Sequence, residues 1–317
     1  MTRESNQPRP ARPSRAHRDA EEGPSGEIPV ARICALCEAT DSTLVHVKRG
    51  YELRRCGSCG LVYVANPPAS REIASLYSFE AGYHGELRDE SGEFQEALRV
   101  ARHDFELLRV RREPGRLLDV GCSVGFFLRV AREAGWEVCG LEVSADTSRI
   151  ARERYGLDVR TGKLEDDGWD PESFDVVTLW DVIEHLPDPK AALAAVHRIL
   201  KPKGLLVFET PNIDGAFPRL SRRLARPLGQ WRHPEPPAHL FQFGTATARR
   251  LLETTGFELL ETRHERIPIR YSFGRLRRWF RSPRRLVHAL LFVPVALVGP
   301  LLASGDTVIY FARKASR

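Results

Sequence analysis

Between residues 116 and 312 the chain alternates short apolar runs with amphipathic stretches, and this restricts the fold more than any other feature of the sequence. Residues 117–120, 138–143, 158–161, 174–180 and 205–209 read as strands. Residues 126–134, 145–155 and 189–200 between them carry helical periodicity. Gly135 and Gly156 close the first two of these helices. A further helix at 245–255, closed by Gly256, precedes the last two strands at 257–263 and 307–312. Alternation of this kind predicts an α/β fold, a doubly wound and mostly parallel sheet covered on both faces. No internal repeat is apparent.

The first strand enters a small-residue loop that opens a helix: Leu117-Leu118-Asp119-Val120-Gly121-Cys122-Ser123-Val124-Gly125. Gly121 and Gly125 let a ligand lie against the main chain at a helix N-terminus. A dinucleotide fingerprint needs glycine at 121, 123 and 126, where this chain has Gly, Ser and Phe. The shorter G-x-G-x-G spacing needs 121, 123 and 125, and two of its three glycines are present. Glu142 ends the second strand, where an acidic residue can accept hydrogen bonds from both hydroxyls of a ribose. Taken alone it also reads as a solvated strand end or a cap partner.

Four further segments continue this pattern in order. They are Gly140-Leu141-Glu142-Val143-Ser144, the run from Phe174 through Trp180-Asp181-Val182-Ile183-Glu184-His185 to Pro189, the run from Leu200 to Asn212, and His239-Leu240-Phe241-Gln242-Phe243. With the loop, they make residues 117–257 resemble a class I S-adenosylmethionine-dependent methyltransferase. The resemblance implies a seven-stranded Rossmann-like sheet whose last strand is antiparallel. It implies that Asp119, Gly121, Ser123 and Gly125 surround the methionine and ribose of the cofactor, and that Glu142 binds the ribose hydroxyls. Leu164 and Glu165 then lie near the adenine, and Trp180, Asp181 and His185 face the sulfonium and the acceptor. Two departures stand out. Ser123 replaces the usual middle glycine, and Lys203 replaces a glycine in a turn remote from the cofactor.

Methyl transfer from a sulfonium is an in-line displacement, so the protein mainly aligns and desolvates the partners. A base is required only where the acceptor must lose a proton. His185 follows a strand at its carboxyl end, where open α/β sheets place ligands, and it reads either as that base or as a packing residue. His239 is a second candidate and His233 a third. The acceptor is expected to be a small molecule or a lipid-linked precursor. The alternative is a non-catalytic or nucleic-acid-directed binding protein.

Six cysteines are present, and four form two C-x-x-C pairs, Cys34/Cys37 and Cys56/Cys59, with eighteen residues between the pairs. This is zinc-ribbon spacing, and four thiolates close a tetrahedron, so a structural zinc is expected. Cys122 and Cys139 sit in apolar runs and read as buried thiols. The early residues contain no apolar stretch of the sort that directs export, so a cytoplasmic protein with reduced cysteines is expected. A ribbon of this type also resembles the module ahead of many bacterial methyltransferases. Ribbons can bind nucleic acid, and Lys48, Arg49, Arg54 and Arg55 lie on this one, but a lid or interaction module on the substrate side is the expected role.

Four regions follow: a disordered tail at 1–29, rich in Pro, Arg, Ser and Glu; the ribbon-like module at 30–66; a helical linker or cap at 67–113; and the methyltransferase-like domain at 114–317. Tyr77, Phe79, Tyr83 and His84 in the linker read as packing between domains or as a cover over the acceptor. A basic and apolar insertion spans about 264–304. Its first part interleaves arginines with Tyr271, Phe273, Trp279 and Phe280, and 286–303 is almost wholly apolar. The apolar run is slightly short for a spanning helix, is broken by Pro294 and Pro300, and must return to the sheet. It is expected to rest on an anionic membrane surface or to pack on the domain. The net charge of +6 comes largely from arginine near the two ends, and nucleic acid is not the expected partner.

Overall fold

The structure, a computed structural model, describes residues 33–69, 92–166, 168–224, 234–266 and 283–315. Its centre is a seven-stranded sheet. In chain order the strands are β4 (Arg116–Val120), β5 (Glu137–Glu142), β6 (Val159–Thr161), β7 (Phe174–Trp180), β8 (Leu200–Pro211), β10 (Phe257–Glu265) and β11 (Thr307–Lys314). Their spatial order is β10-β11-β8-β7-β4-β5-β6. The strands from β8 through β6 pair in parallel, while β11 runs antiparallel to both β8 and β10. The order reverses at β4, so the crevice beyond the carboxyl ends of β4, β5 and β7 is where a sheet of this kind takes ligands.

Helices cover both faces. On one face α1 (Gly92–Arg109), α2 (Phe126–Glu133) and α3 (Ala145–Tyr155) bury Phe105, Leu108, Phe127, Leu128 and Ala151 against Leu117, Val176 and Val207. On the other, α4 (Pro189–Ile199) and α6 (Thr245–Thr254) bury Leu193, Val196, Ala248 and Leu252 against Leu118, Val177 and Leu206. The central strands are apolar on both sides because both sides are covered. Local chemistry sets the helix ends. The Ser144 side chain accepts from Thr147 N and caps α3, and Asp188 accepts from Ala191 N ahead of Pro189 in α4.

The cysteine module forms a four-stranded sheet of its own, ordered β1-β2-β3-β9. Its strands are β1 (Ser42–Lys48), β2 (Tyr51–Cys56), β3 (Val62–Val64) and β9 (Phe241–Gln242). The last is contributed by a segment nearly two hundred residues later, paired through Val62–Gln242 and Tyr63–Phe241. Leu36, Leu61 and Tyr63 belong to the same apolar cluster as α4 and α6. The ribbon is therefore continuous with the core of the large sheet.

Sequence patterning misses three elements: β2, the two-residue β9 and α5 (Ala216–Arg223). It also ends β8 too early, since 205–209 is only the buried middle of Leu200–Pro211. The apolar run forms α7 (Pro283–Val298), continued by a 3-10 turn at Gly299–Leu302. Among the described residues no helix is long and apolar enough to cross a membrane. The expected tail at 1–29, Tyr77, Phe79, Tyr83 and His84, His233, and the stretch bearing Tyr271, Phe273, Trp279 and Phe280 lie outside the described residues.

Candidate functional site

The loop after β4 is folded back onto β5. Gly121 N and Cys122 N both donate to Leu141 O, at 2.7 and 3.2 Å. Gly121 has φ +71° and faces solvent, and a Cβ there would stand 2.5 Å from Val182 Cγ2. The position therefore requires glycine for both conformation and space. Gly125, with φ +86°, caps α2. Ser123 has φ +52°, so it occupies the left-handed region that the usual glycine would fill without strain.

Glu142 holds this loop in place. It is only 4% exposed. Its Oε2 accepts from Ser123 N at 2.9 Å and its Oε1 from Ser144 N at 2.8 Å. One carboxylate thus joins the glycine loop to the cap of α3, which is not a solvated strand end. Thr161 is its register partner on β6, and Gly162 N donates to Glu142 O. The turn carrying buried Leu164 and exposed Glu165 starts beside it.

Asp119 lies beneath the loop, 3% exposed, and accepts from Thr178 Oγ1 at 2.7 Å. Burial pushes its carboxyl up to about 7; the Thr178 hydroxyl opposes this, and the charge of Glu142 adds to it. At the end of β7, Trp180 packs on Phe127 with ring centroids 5.3 Å apart. Its Nε1 is buried with no hydrogen-bond partner among the described residues. Asp181, with φ +51°, follows β7, and desolvation by the surrounding protein pushes its carboxyl up to about 6.

Further carboxylates surround Asp181. Burial raises Asp104, Glu184 and Glu209 well above the usual carboxylate range, and the charge of Asp181 raises each further. Sequence reading passed over all three. Asp104 left a signal, since it falls on the apolar stripe of α1 between Ala101 and Phe105. Each of these carboxyls thus binds its proton more tightly than a solvated one does.

Glu184 and His185 are joined to the ribbon. Leu240 N and Phe241 N both donate to Glu184 O, and Val64 N donates to Leu240 O. The Glu184 side chain is 1% exposed; Oε2 accepts from Thr210 Oγ1, and Oε1 is without a hydrogen-bond partner among the described residues. His185 Nδ1 lies 2.9 Å from Ala238 O. A carbonyl only accepts, so Nδ1 carries the hydrogen and Nε2 is the basic nitrogen of the neutral ring. Burial lowers the His185 pKa against the opposing effect of that bond. His239 packs edge-on against His185, centroids 4.7 Å apart. The ligand atoms of Glu184, His185 and His239 all lie within 4.8 Å of one another. The two histidines, far apart in sequence, are thus brought together, whereas Leu164 and Glu165 sit on the opposite flank.

The four ribbon cysteines converge as well. Cys34 and Cys59 sulfurs are 3.5 Å apart, as are those of Cys37 and Cys56, and all four sulfurs lie within 4.8 Å of one another. That is far beyond a disulfide at ~2.05 Å. It suits sulfurs ~3.8 Å apart on the corners of a tetrahedron with ~2.3 Å metal–sulfur bonds. Burial raises Cys34 and Cys59. Burial also acts upward on Cys56, but hydrogen bonds from Cys59, Cys37 and Ser58 outweigh it and bring that thiol to about 7. Deprotonated, four sulfurs at this spacing are the ligand set of a tetrahedral metal ion.

A family model described as a methyltransferase domain matches residues 93–262. A ubiquinone biosynthesis O-methyltransferase of Xanthomonas campestris pv. campestris is 34% identical over 122 residues, covering 37% of this chain and 51% of that protein. One of the same name from Actinobacillus pleuropneumoniae is 35% identical over 107 residues, covering 31% of this chain and 46% of that protein. The chain therefore spans about half the length of the curated relatives it matches. A solved structure from Haloferax volcanii, the complex of the Trm112 methyltransferase activator with a putative methyltransferase, matches at TM-score 0.52 and 18% identity. That match covers 77% of this chain and 98% of the other.

Proposed function

The chain belongs to the methyltransferase-domain family, and from that premise we propose that it transfers a methyl group from S-adenosylmethionine to a small-molecule or lipid-linked acceptor. The observation that carries this reading is the glycine loop held against β5 by Leu141 O and the two Glu142 hydrogen bonds, with Gly121 and Asp181 both exposed at the carboxyl ends of β4 and β7. The residues fit the cofactor. The bare backbone of Gly121 is exposed at left-handed φ, where a ligand can approach it, and the Trp180 indole N–H is a buried donor without a hydrogen-bond partner among the described residues. Asp119, Gly121, Ser123 and Gly125 would surround the methionine and ribose, Glu142 the ribose hydroxyls, and Leu164 and Glu165 the adenine. Trp180 and Asp181 would border the reacting centre. When bound, the cofactor supplies an electrophilic methyl group, and the protein's work is alignment and exclusion of water.

In this reading His185 takes a proton from the acceptor at Nε2, with the ring orientation fixed through Nδ1 by Ala238 O. His239 holds the imidazole from its edge. The ribbon holds one zinc through Cys34, Cys37, Cys56 and Cys59, a closed structural site that positions β9 and with it His239. The chain divides into a tail at 1–29, the ribbon at 30–66, a helical cap at 67–113 and the catalytic domain at 114–317, with β9 of the last completing the ribbon sheet. It acts in the cytoplasm, and a lipid-linked acceptor would bring it to the membrane periphery. The named relatives, both ubiquinone biosynthesis O-methyltransferases, are consistent with an acceptor of that chemistry. Titration calorimetry with S-adenosylmethionine, followed by transfer of radiolabelled methyl into cell extract, tests the proposal. Cofactor binding with label in small molecules or lipid is expected. Absence of binding, or label confined to nucleic acid, would overturn it.

A further inference from the structure

Helix α7 is apolar on two opposite faces. Ala289, Phe292 and Ala296 point inward, where Phe292 meets Phe217 of α5 at 5.1 Å between ring centroids. Val287, Leu290, Leu291, Leu297 and Val298, spaced by three, four and seven, lie on the other face and are exposed. Leu301 and Leu302 in the following turn extend the same patch and are 84% and 72% exposed. Scattered exposed leucines are ordinary, but a contiguous apolar face over four helical turns marks an interaction surface.

The chain leaving this helix is tied to the sheet edge formed by the carboxyl ends of the strands. Strands β7, β8 and β10 all end at that edge. Ala216 N donates to Ser304 O, Asn212 Nδ2 to Gly305 O, and Asp306 N to Glu265 O. Residues 304–306, directly after the turn, are thereby bound to the carboxyl ends of β8 and β10.

Charge identifies the occupant. Arg219, Arg222 and Arg223 are exposed on α5, the helix against which α7 packs. In the sequence leading into α7, residues 266–285 contain eight arginines and no acidic residue. A protein partner could cover the leucines, but an apolar face beside the exposed arginines of α5, preceded in the chain by an arginine-rich stretch without acidic residues, matches lipid tails beneath anionic headgroups. We infer that the exposed face of α7 and its following turn dock on an anionic phospholipid bilayer, with the substrate crevice facing the membrane. No segment need cross the bilayer, because the leucines reach only the boundary between headgroups and acyl chains. The inference rests on the proposed methyl transfer only for its purpose, the collection of a lipid-linked acceptor at the interface.

Flotation of the full chain with vesicles tests it, comparing phosphatidylcholine containing phosphatidylglycerol with phosphatidylcholine alone. The chain is expected to float with the anionic vesicles, and added salt should release it. The triple variant Leu290→Glu, Leu301→Glu, Leu302→Glu should lose ~100-fold or more in vesicle affinity. Because all three positions are exposed, its melting temperature and its S-adenosylmethionine affinity should stay unchanged. A chain that never floats, or a triple variant that floats as well as the parent, would overturn the inference. A dimer that the triple variant dissolves, without vesicle binding by the parent, would assign the face to a second copy instead. Vesicle binding without cofactor binding would sink the methyltransferase reading alone; cofactor binding without vesicle binding would sink only this one.

Discussion

Replacing Glu142 by glutamine changes one oxygen to an amide nitrogen at a site that is 4% exposed, and its consequence can be worked from two hydrogen bonds. Both carboxylate oxygens accept from backbone N–H groups, those of Ser123 and Ser144. A glutamine keeps one acceptor and must point its NH2 at the other N–H. One charge-assisted bond is lost and two buried donors face each other. At ~1.5–3 kcal/mol for a bond to a charged group, the variant should lose about 2–4 kcal/mol of stability. For a domain of this size that lowers the melting temperature by about 5–12 °C. Alanine removes both acceptors and should destabilise further, by roughly 3–5 kcal/mol. The loop also loses its tie to the cap of α3, so S-adenosylmethionine affinity should fall by ~100-fold or more in either variant, the equivalent of about 3 kcal/mol. Urea unfolding gives the first quantity and titration calorimetry the second. A glutamine variant that melts within ~1 °C of the parent and binds the cofactor equally well would refute both the clasp and the ribose-binding role.

Four further outcomes follow from the same geometry. Burial raises the Asp119 carboxyl from its ordinary 3.8 to about 7, so the fold favours the protonated form, and the stability gained is complete below pH ~3.8 and lost as pH rises past ~7. Asp119→Asn should therefore flatten the decline in urea stability between pH ~5 and ~7.5, by on the order of 2–4 kcal/mol; an unchanged slope would mean that Asp119 ionises freely. Cys37→Ser should reduce bound zinc from about one per chain toward none in metal analysis and lower the melting temperature, while cofactor affinity stays within ~threefold because the ribbon packs with α4 and α6; full zinc content in the variant would refute the four-cysteine site. His185→Gln should slow methyl transfer by ~100-fold or more at unchanged cofactor affinity and remove the acidic limb of the pH–rate profile; a variant as active as the parent would reduce His185 to packing. Lys203 sits at φ +62°, so Lys203→Gly should raise the urea midpoint by the equivalent of ~0.5–1 kcal/mol, and a lower midpoint would contradict the left-handed turn.

The sequence by itself determined the α/β class, because apolar runs of strand length separated by amphipathic stretches can bury their faces only as a covered sheet. It also marked the glycine loop, Glu142 and the cysteine spacing, since those depend on residue types a few positions apart. Its errors have separate causes: β9 is two residues long and exists only through β3, far away in the chain, α5 is a short helix tied by Ala216 N and Phe217 N to Ser304 and Asp306, and β2 is a polar strand of a local hairpin with β1. The site, too, is assembled by folding. In the sequence Glu142 reads as a ribose-binding acid, a solvated strand end or a cap partner, and only folding brings Ser123 N and Ser144 N to its two oxygens. His185 and His239 become neighbours only because β9 closes the ribbon sheet and hands Ala238 O to the first imidazole. The carboxylates Asp104, Asp181, Glu184 and Glu209 come from a helix, two strand ends and a loop, and only crowding in the folded state raises their affinity for protons. Residue type and periodicity are local properties, so the sequence fixes what each segment can become. Burial, hydrogen-bond partners and proton affinity are properties of neighbours, and the neighbours are chosen by the tertiary structure.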